Sequence, residues 1–198
     1  MDIKKYELTD DIIEVNGHTL HRIRALRDIP GTSVKSGDLG GYIESEENLS
    51  HMDGCWVSGD AKVYGDAKVF GYARIISYAQ VFDNARVYGN ATVSGDAMVH
   101  GHSQVYSSAK VYDYAEVSGN VCVHHKSRIY GSATVSGDVD VSGTVMIYGV
   151  AYISGNAKVS GKAQVYGNSK VIDYVHIFGN AHVCCDSILR GNIEVFQR

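Results

Sequence analysis

Proline is almost absent from the 198-residue sequence, and the single residue, Pro30, argues against a proline-rich linker or a low-complexity tail. No apolar run approaches the ~20 residues of a membrane-spanning helix, and we expect no cleavable signal sequence at the start of the chain. The net charge is −4 with 20% charged residues, which argues against a general nucleic-acid-binding surface. We therefore expect one domain that binds neither membranes nor nucleic acid in general.

Cysteine is sparse as well. Cys55, Cys122, Cys184 and Cys185 lack the spacing of a disulfide framework or a zinc knuckle. Histidine adds only outward pairs, such as His182 with Cys184, whereas zinc needs three or four converging ligands. We therefore predict no metal site and a reduced, cytoplasmic protein.

What the sequence has in abundance is a six-residue repeat. Residues 61–198 consist of 23 consecutive hexads without an insertion, beginning with Ala61–Asp66 (AKVYGD). The third place is Val, Ile or Leu in all 23 copies, the first is Ala in 14, and the fifth is Gly in 15. A repeat at a fixed short period determines the architecture before any single element is assigned.

Each hexad predicts a short strand followed by a corner. Places one and three are apolar and two residues apart, so both face inward on an extended strand, while place two faces outward. Gly followed by Asn or Asp at places five and six suits a tight corner with positive φ. Three strands and three corners make a coil of 18 residues, which adds ~4.8 Å of height. We predict an all-β, three-sided parallel β-helix in which residues 55–198 form eight coils.

The first 42 residues do not follow the repeat. Ile12–Val15 and His18–Ile23 flank Asn16–Gly17, which is the strongest short signal for a hairpin with a two-residue turn. We therefore divide the chain into an N-terminal hairpin segment, residues 1–42, and a β-helix, residues 43–198. The hairpin is predicted to plug the end of the prism, and the alternative is a separate role in partner binding. Counting back from Ala61 in steps of six, we expect Cys55, Leu49 and Ile43 also to occupy the first place of a hexad.

The hexads resemble those of the hexapeptide-repeat family, and the resemblance covers about 70% of the chain. It implies left-handed triangular coils, although parallel crossovers are usually right-handed. The run Asp38–His51 (DLGGYIESEENLSH) resembles hexapeptide-repeat proteins of phages and bacteria that are labelled acyltransferases. In such enzymes a histidine is the general base, coenzyme A lies between subunits, and a protruding loop and a C-terminal helix are usual. The unbroken repeat over residues 61–198 shows neither the loop nor the helix.

Outward-facing residues that are 18 positions apart in the sequence form columns along the prism, and each column contains similar side chains. One column consists of Tyr112, Tyr130, Tyr148 and Tyr166. A neighbouring column contains Lys110 and Arg128. Like side chains ~4.8 Å apart stabilise a stack by themselves. The alternatives are a contact with a second copy or a partner protein, because tyrosine supplies large area at small entropic cost, and a stacking site for a small anionic ligand.

The repeat is most irregular where His125 and Lys126 replace the usual Gly and Asn of a corner. With Lys110 and Arg128, they predict a positive patch on an exposed corner that also carries His124. Histidine is the side chain that changes charge near neutral pH. His124 or His125 is therefore the candidate for the catalytic base that the resemblance implies, and a basic corner on a solvated surface is the alternative.

Two functions are compatible with these features, since fold alone does not imply function. The favoured hypothesis is a non-catalytic, self-associating scaffold, a dimer or trimer without a cofactor, which binds a partner protein or a small anionic ligand. The resemblance implies a phage-type setting. The alternative is an O- or N-acyltransferase that uses acetyl-CoA at subunit junctions. The last hexad, Ile193–Arg198, is still in phase, so we also expect a second copy to cover this end of the core.

Overall fold

The computed structural model describes residues 4–198 and consists almost entirely of β-structure. It begins with the strands β1 (Tyr6–Val15), β2 (His18–Ala25) and β3 (Leu39–Ile43), followed by a 3-10 helix at Glu46–Asn48. All later elements are short strands. Among residues 4–198, no helical segment combines the length and the apolar character that crossing a membrane requires.

The short strands stack into three parallel sheets, one for each side of a prism. After β3, the first sheet contains Lys62–Val63, Gln80–Val81, Met98–Val99, Glu116–Val117, Thr134–Val135, Tyr152–Ile153, Lys170–Val171 and Ile188–Leu189. The second contains Lys68–Val69, Arg86–Val87, Gln104–Val105, Cys122–Val123, Asp140–Val141, Lys158–Val159, His176–Gly179 and Glu194–Gln197. The third contains Trp56–Val57, Arg74–Ile75, Thr92–Val93, Lys110–Val111, Arg128–Ile129, Met146–Ile147, Gln164–Val165 and His182–Val183.

Strand register confirms the predicted period. Each strand of the array pairs with the strand 18 residues further along, as Lys62 does with Gln80 and Gln80 with Met98. The second and third sheets each have eight strands, which agrees with eight coils over residues 55–198, and Ile43 and Leu49 begin one further coil before them. The molecule is a left-handed parallel β-helix, so the predicted fold class is confirmed. We call the turn after each sheet the first, second and third corner.

The core consists of places one and three of the hexads, as predicted. Val63, Val99, Val135 and Val171 are fully buried, at 0% exposure. The side chains of place two are half-buried or exposed along the array. Alanine and valine suit this interior because three sheets that face one another across a narrow prism leave room for small, β-branched side chains at normal packing density.

The corners require positive φ and a close approach of backbone. Gly137 has φ +89°, and a Cβ there would lie 2.6 Å from the carbonyl oxygen of Gly155 in the next coil. Aspartate can take this place because its carboxylate compensates for the strain: Asp113, at φ +60°, accepts a hydrogen bond from the backbone N–H of Gly131 at 3.1 Å. The corner therefore selects residues that tolerate the left-handed conformation.

The predicted phase is wrong for the first coil. Ile43 pairs with Val63, and Leu49 forms a bridge with Val69, so both residues occupy the third place of a hexad rather than the first. Val57, by contrast, pairs with Ile75 in the regular register. The reason is a two-residue insertion in the turn between Leu49 and Val57, which a search for a constant period does not detect. Cys55 does occupy a first place, as predicted, and is fully buried.

The hairpin and its role as a cap are confirmed. β1 and β2 pair antiparallel up to Val15 and His18, around Asn16 and Gly17 with φ of 52° and 84°. β2 pairs antiparallel with β3, and β3 pairs in parallel with Lys62–Val63, so the hairpin continues the first sheet. Side chains of the cap enter the main core: Tyr6, Ile23, Ala25 and Ile29.

Candidate functional site

The third corner carries a stack of four tyrosines, which we call the tyrosine ladder: Tyr112, Tyr130, Tyr148 and Tyr166. Successive ring centroids are 4.9 Å apart in all three pairs, and the rings are within 7° of parallel. The register of the third sheet fixes this spacing. The rings are half-buried against one another, and burial raises the pKa of Tyr112 and Tyr130. The predicted column is therefore a continuous stack.

Other corners carry stacks as well. Phe70, Tyr88, Tyr106 and His124 form one at the second corner, with centroids 4.8 to 4.9 Å apart. Tyr64, Phe82 and His100 form another at the first corner, with centroids 5.1 and 4.6 Å apart. Stacking is thus a general property of the fourth place of the hexad, and a function specific to the tyrosine ladder must depend on something further.

That further feature is exposed apolar surface beside the ladder. Tyr114 and Val150 occupy the sixth place of the same corner and are 68% and 56% exposed. Tyr152 follows on the first sheet and is also exposed. We call the ladder together with these three residues the aromatic edge.

The three cations of the predicted positive patch do not all lie together in the structure. Lys110 and Arg128 are exposed register neighbours in the third sheet, directly before the ladder. Lys126 is exposed at the second corner, on the opposite side of the third sheet. The predicted site therefore consists of two regions. One is the aromatic edge, and the other is the part of the second corner that carries His124, His125 and Lys126, which we call the histidine corner. Lys110 and Arg128 lie on the sheet between them.

At the histidine corner, His124 makes two polar contacts through its ring. Its Nε2 lies 2.9 Å from Oδ1 of Asp140, and its Nδ1 lies 2.8 Å from Nδ1 of His125. The side chain of His124 is only 16% exposed because it stacks on Tyr106, whereas His125 is exposed with φ +60°. On the corner predicted to be exposed, His125 is exposed and His124 is half-buried.

These hydrogen bonds join Asp140, His124 and His125 into a chain, which we call the Asp140–His124–His125 relay. They restrict which ring nitrogens carry a proton. A carboxylate only accepts, so Nε2–H of His124 donates to Asp140. When His124 is neutral, its Nδ1 has a lone pair that accepts a hydrogen bond from Nδ1–H of His125. In that tautomer, Nε2 of the exposed His125 ring has a free lone pair. A shallow depression beside it is lined by Ser107, Ser108, His125, Lys126, Gly143 and Thr144.

Sequence reasoning missed Asp140, although a signal exists. A fourth-place side chain meets the second-place side chain 16 residues later, in the next coil. Tyr88 with Gln104 and His100 with Glu116 show the same offset as His124 with Asp140. Searching each aromatic or histidine of the fourth place for its partner at this offset would have found the contact.

All four cysteines are free thiols, and no group of three His, Cys, Asp or Glu side chains in the part of the chain that the structure describes converges on a metal position. Burial raises the pKa of Cys55 and Cys122. Cys184 follows Tyr166 in the ladder's column at the third corner, and Cys185 is the next residue of that corner.

Comparison with known proteins bears on the repeat and not on the site. A family model described as the YdcK beta solenoid repeat matches residues 79–94 and 85–101. No curated protein matches the chain. The matched hexads contain none of the residues of the aromatic edge or the histidine corner. Over these hexads the chain is similar to the YdcK beta solenoid repeat, and its three stacked sheets make it a β-solenoid.

Proposed function

We propose that this chain is a self-associating β-solenoid scaffold and that two copies bind each other through the aromatic edge. The observation that carries the proposal is the exposure of Tyr114 and Val150 beside the tyrosine ladder, at 68% and 56%. Exposed apolar surface marks contact sites in soluble proteins, and tyrosine is enriched in the centre of interfaces.

The ladder also favours a second copy over an unrelated partner. Four identical rings at a constant 4.9 Å spacing present the same pattern when a two-fold axis reverses the direction of the prism. An isologous contact needs such a self-complementary surface, and closed two-fold dimers are the commonest assemblies. Lys110 and Arg128, exposed on the adjoining sheet, give the same side of the molecule a place for the anionic groups of a ligand.

The mass in solution tests the contact. We expect the wild-type protein to elute with light-scattering mass twice its 21.5 kDa, and a Tyr130→Glu/Tyr148→Glu variant to elute as a monomer. The matched control is Ser136→Glu/Ser154→Glu, which places the same charges at the fourth place of the next corner, at the same height. A wild-type dimer that survives the tyrosine changes would overturn the proposal, as would a wild-type monomer.

A second pair of variants protects the test against misfolding. Tyr114→Lys/Val150→Lys alters only exposed side chains of the aromatic edge, so folding is expected to be unchanged. Asn120→Lys/Asn156→Lys is its control, at the sixth place of the next corner. The proposal predicts that Tyr114→Lys/Val150→Lys dissociates into monomers and that Asn120→Lys/Asn156→Lys stays a dimer. Circular dichroism confirms that both variants are folded.

A histidine-based acyl transfer is the second candidate function, and the Asp140–His124–His125 relay favours it. The free Nε2 of His125 has the lone pair that a general base needs, and its partners orient the ring. Acetyl-CoA would supply the acyl group, and His125 would take the proton of the accepting hydroxyl or amine. Against this function, no inserted loop covers the corner within the described hexads, so little excludes water.

Thermal denaturation with acetyl-CoA tests the second candidate. A ligand that binds only the folded state raises the melting temperature with its concentration relative to Kd. If the candidate is right, acetyl-CoA raises the wild-type melting temperature, and His125→Ala abolishes acetyl transfer to small acceptors. His102→Ala, an exposed histidine at another corner, retains both effects. No shift with the wild type, or transfer that survives His125→Ala, would remove this candidate.

A further inference from the structure

The third corner of the last coil brings two thiols together. Cys184 and Cys185 are consecutive, and their sulfur atoms lie 3.1 Å apart as free thiols. Cys184 is half-buried at the end of the ladder's column, and Cys185 is exposed. The two sulfurs therefore form a pair that solvent and small solutes can reach.

The backbone at this corner holds the pair. Cys185 takes the fifth place of its hexad, with φ +62°, a conformation that costs an L-residue about 1–2 kcal/mol. At the same place Asp113 directs its side chain to the backbone of the next coil, whereas the sulfur of Cys185 is directed to Cys184. Below them, Gly167 leaves only backbone against Cys185. An uncompensated left-handed residue is a reason to look for a function.

The separation of the sulfurs selects the kind of centre that fits. With bonds to sulfur of about 2.3 Å, a 3.1 Å separation gives an angle of about 85° at the bound atom. Tetrahedral zinc needs about 3.7 Å between two thiolates and at least one further ligand, and no group of three ligands exists in residues 4–198. A trivalent p-block centre forms pyramidal bonds near a right angle and needs only two sulfurs.

We propose that Cys184 and Cys185 form a binding site for a thiophilic trivalent centre of the arsenic(III) class. Two As–S bonds form as As–O bonds break, and the two thiol protons leave with the released oxygen as water. The oxidation states of arsenic and sulfur do not change. The inference does not depend on self-association.

The other cysteines are not suited to this chemistry. Cys55 and Cys122 are single thiols whose pKa values burial raises, which makes them less reactive. Cys184 and Cys185, by contrast, place two accessible sulfurs 3.1 Å apart, so both can bind one centre. Cys55 and Cys122 therefore serve as internal controls.

Intact-mass spectrometry of the reduced protein with phenylarsine oxide tests the site. Excess 2-mercaptoethanol is included, because it displaces arsenic from single thiols but not from a chelating pair. We expect one adduct, with the mass of phenylarsine oxide less one water, in the wild type, Cys55→Ser and Cys122→Ser. Cys184→Ser and Cys185→Ser should carry none. No adduct on the wild type, or an adduct on either of these last two variants, would overturn the proposal.

A second measurement separates a built site from two adjacent thiols in any chain. Preorganisation predicts binding at least about tenfold tighter to the native protein than to the protein unfolded in urea. The native adduct should also raise the melting temperature of the wild type and not that of Cys185→Ser. Equal affinity in the native and unfolded states would show that the corner contributes nothing.

Discussion

The first and last coils of the β-solenoid have the same repeat and different surroundings. In the first coil, Ile43 and Leu49 are fully buried beneath the hairpin. In the last coil, the inward residues Leu189 and Val195 are only half-buried, and Ile193 is 39% exposed. The difference shows that the hexad specifies the coil, whereas burial of its inward residues depends on a neighbour on each side.

The cap achieves this burial with residues that the repeat does not contain. The hydroxyl of Tyr6 donates to the carbonyl oxygen of Leu49 at 2.7 Å. Nζ of Lys5 donates to the carbonyl oxygen of Cys55 at 2.8 Å, and burial lowers the pKa of Lys5. Asn48, which belongs to the first coil itself, donates to the carbonyl oxygens of Gly65 and Ala67 in the next coil. Backbone groups at this end of the β-helix are thus satisfied by specific side chains.

A charge placed in the core should give the largest difference between a covered and an uncovered coil. Val171→Lys buries an unpaired ammonium group and should cost more than about 4 kcal/mol, enough to unfold most of the array. Val195→Lys should cost less than about 1 kcal/mol, because its long side chain reaches solvent from the half-buried site. Urea denaturation followed by circular dichroism measures both.

Val195→Lys also tests the expected contact between two ends. If two copies meet at the last coil instead of at the aromatic edge, this change lowers the mass measured by light scattering while the protein stays folded, and Tyr130→Glu/Tyr148→Glu leaves the mass unchanged. An unchanged mass with Val195→Lys and a lowered mass with the tyrosine variant would assign self-association to the aromatic edge.

Removal of buried volume should give the next largest difference. Leu49→Ala leaves a cavity beneath the cap and should lower the free energy of unfolding by about 3 kcal/mol. Leu189→Ala, at the same place of the hexad, should cost about 1 kcal/mol, since the site is already half-exposed. Equal losses would mean that the last coil is as well covered in solution as the first.

The corners offer a smaller, matched comparison. Gly137→Ala and Gly191→Ala both place a side chain at positive φ, φ +89° and φ +85°, which costs about 1–2 kcal/mol. A Cβ at Gly137 also overlaps the carbonyl oxygen of Gly155, whereas Gly191 has nothing within 4 Å. We expect Gly137→Ala to cost about 1–3 kcal/mol more than Gly191→Ala. Chemical denaturation of both variants decides it, and equal costs would mean that the next coil shifts without penalty.

What the sequence predicts well is what the period determines. The sheets, the core and the tyrosine ladder follow from one hexad, since residues 18 apart must stack. The two-residue insertion before Cys55 was missed because it occurs once, outside the unbroken array. The contact of His124 with Asp140 does not follow from the period of 18, because it joins residues of two different columns that are 16 positions apart. Exposure of Tyr114 and Val150 depends on the shape of the corner, which a list of columns does not give.

The smallest expected difference between the first and last coils is the effect of low pH on their stability. Glu44 has a lowered pKa, chiefly through its hydrogen bond with His18 and also through the N–H of Gly65. Glu46 has a lowered pKa chiefly through Lys4. A carboxylate with a lowered pKa in the folded state stabilises above its ordinary pKa of 4.5, and this stability is lost as pH falls through the folded value. Acid should therefore loosen the cap.

The magnitude is modest because the side chains of Glu44 and Glu46 are 33% and 39% exposed, so solvent screens each pair to well under about 1 kcal/mol. Trp56, the single tryptophan, packs edge-on against Tyr6 beneath the cap, so its fluorescence reports on the first coil. We expect the urea midpoint of the wild type, measured from this signal, to fall when the pH is lowered from 6 to below the ordinary carboxyl pKa. The midpoint of Glu44→Gln/Glu46→Gln should fall less over the same change of pH. Glu194→Gln, exposed in the last coil, should follow the wild type. Parallel curves for all three proteins would show that these carboxylates do not hold the cap, and that apolar burial alone distinguishes the first coil from the last.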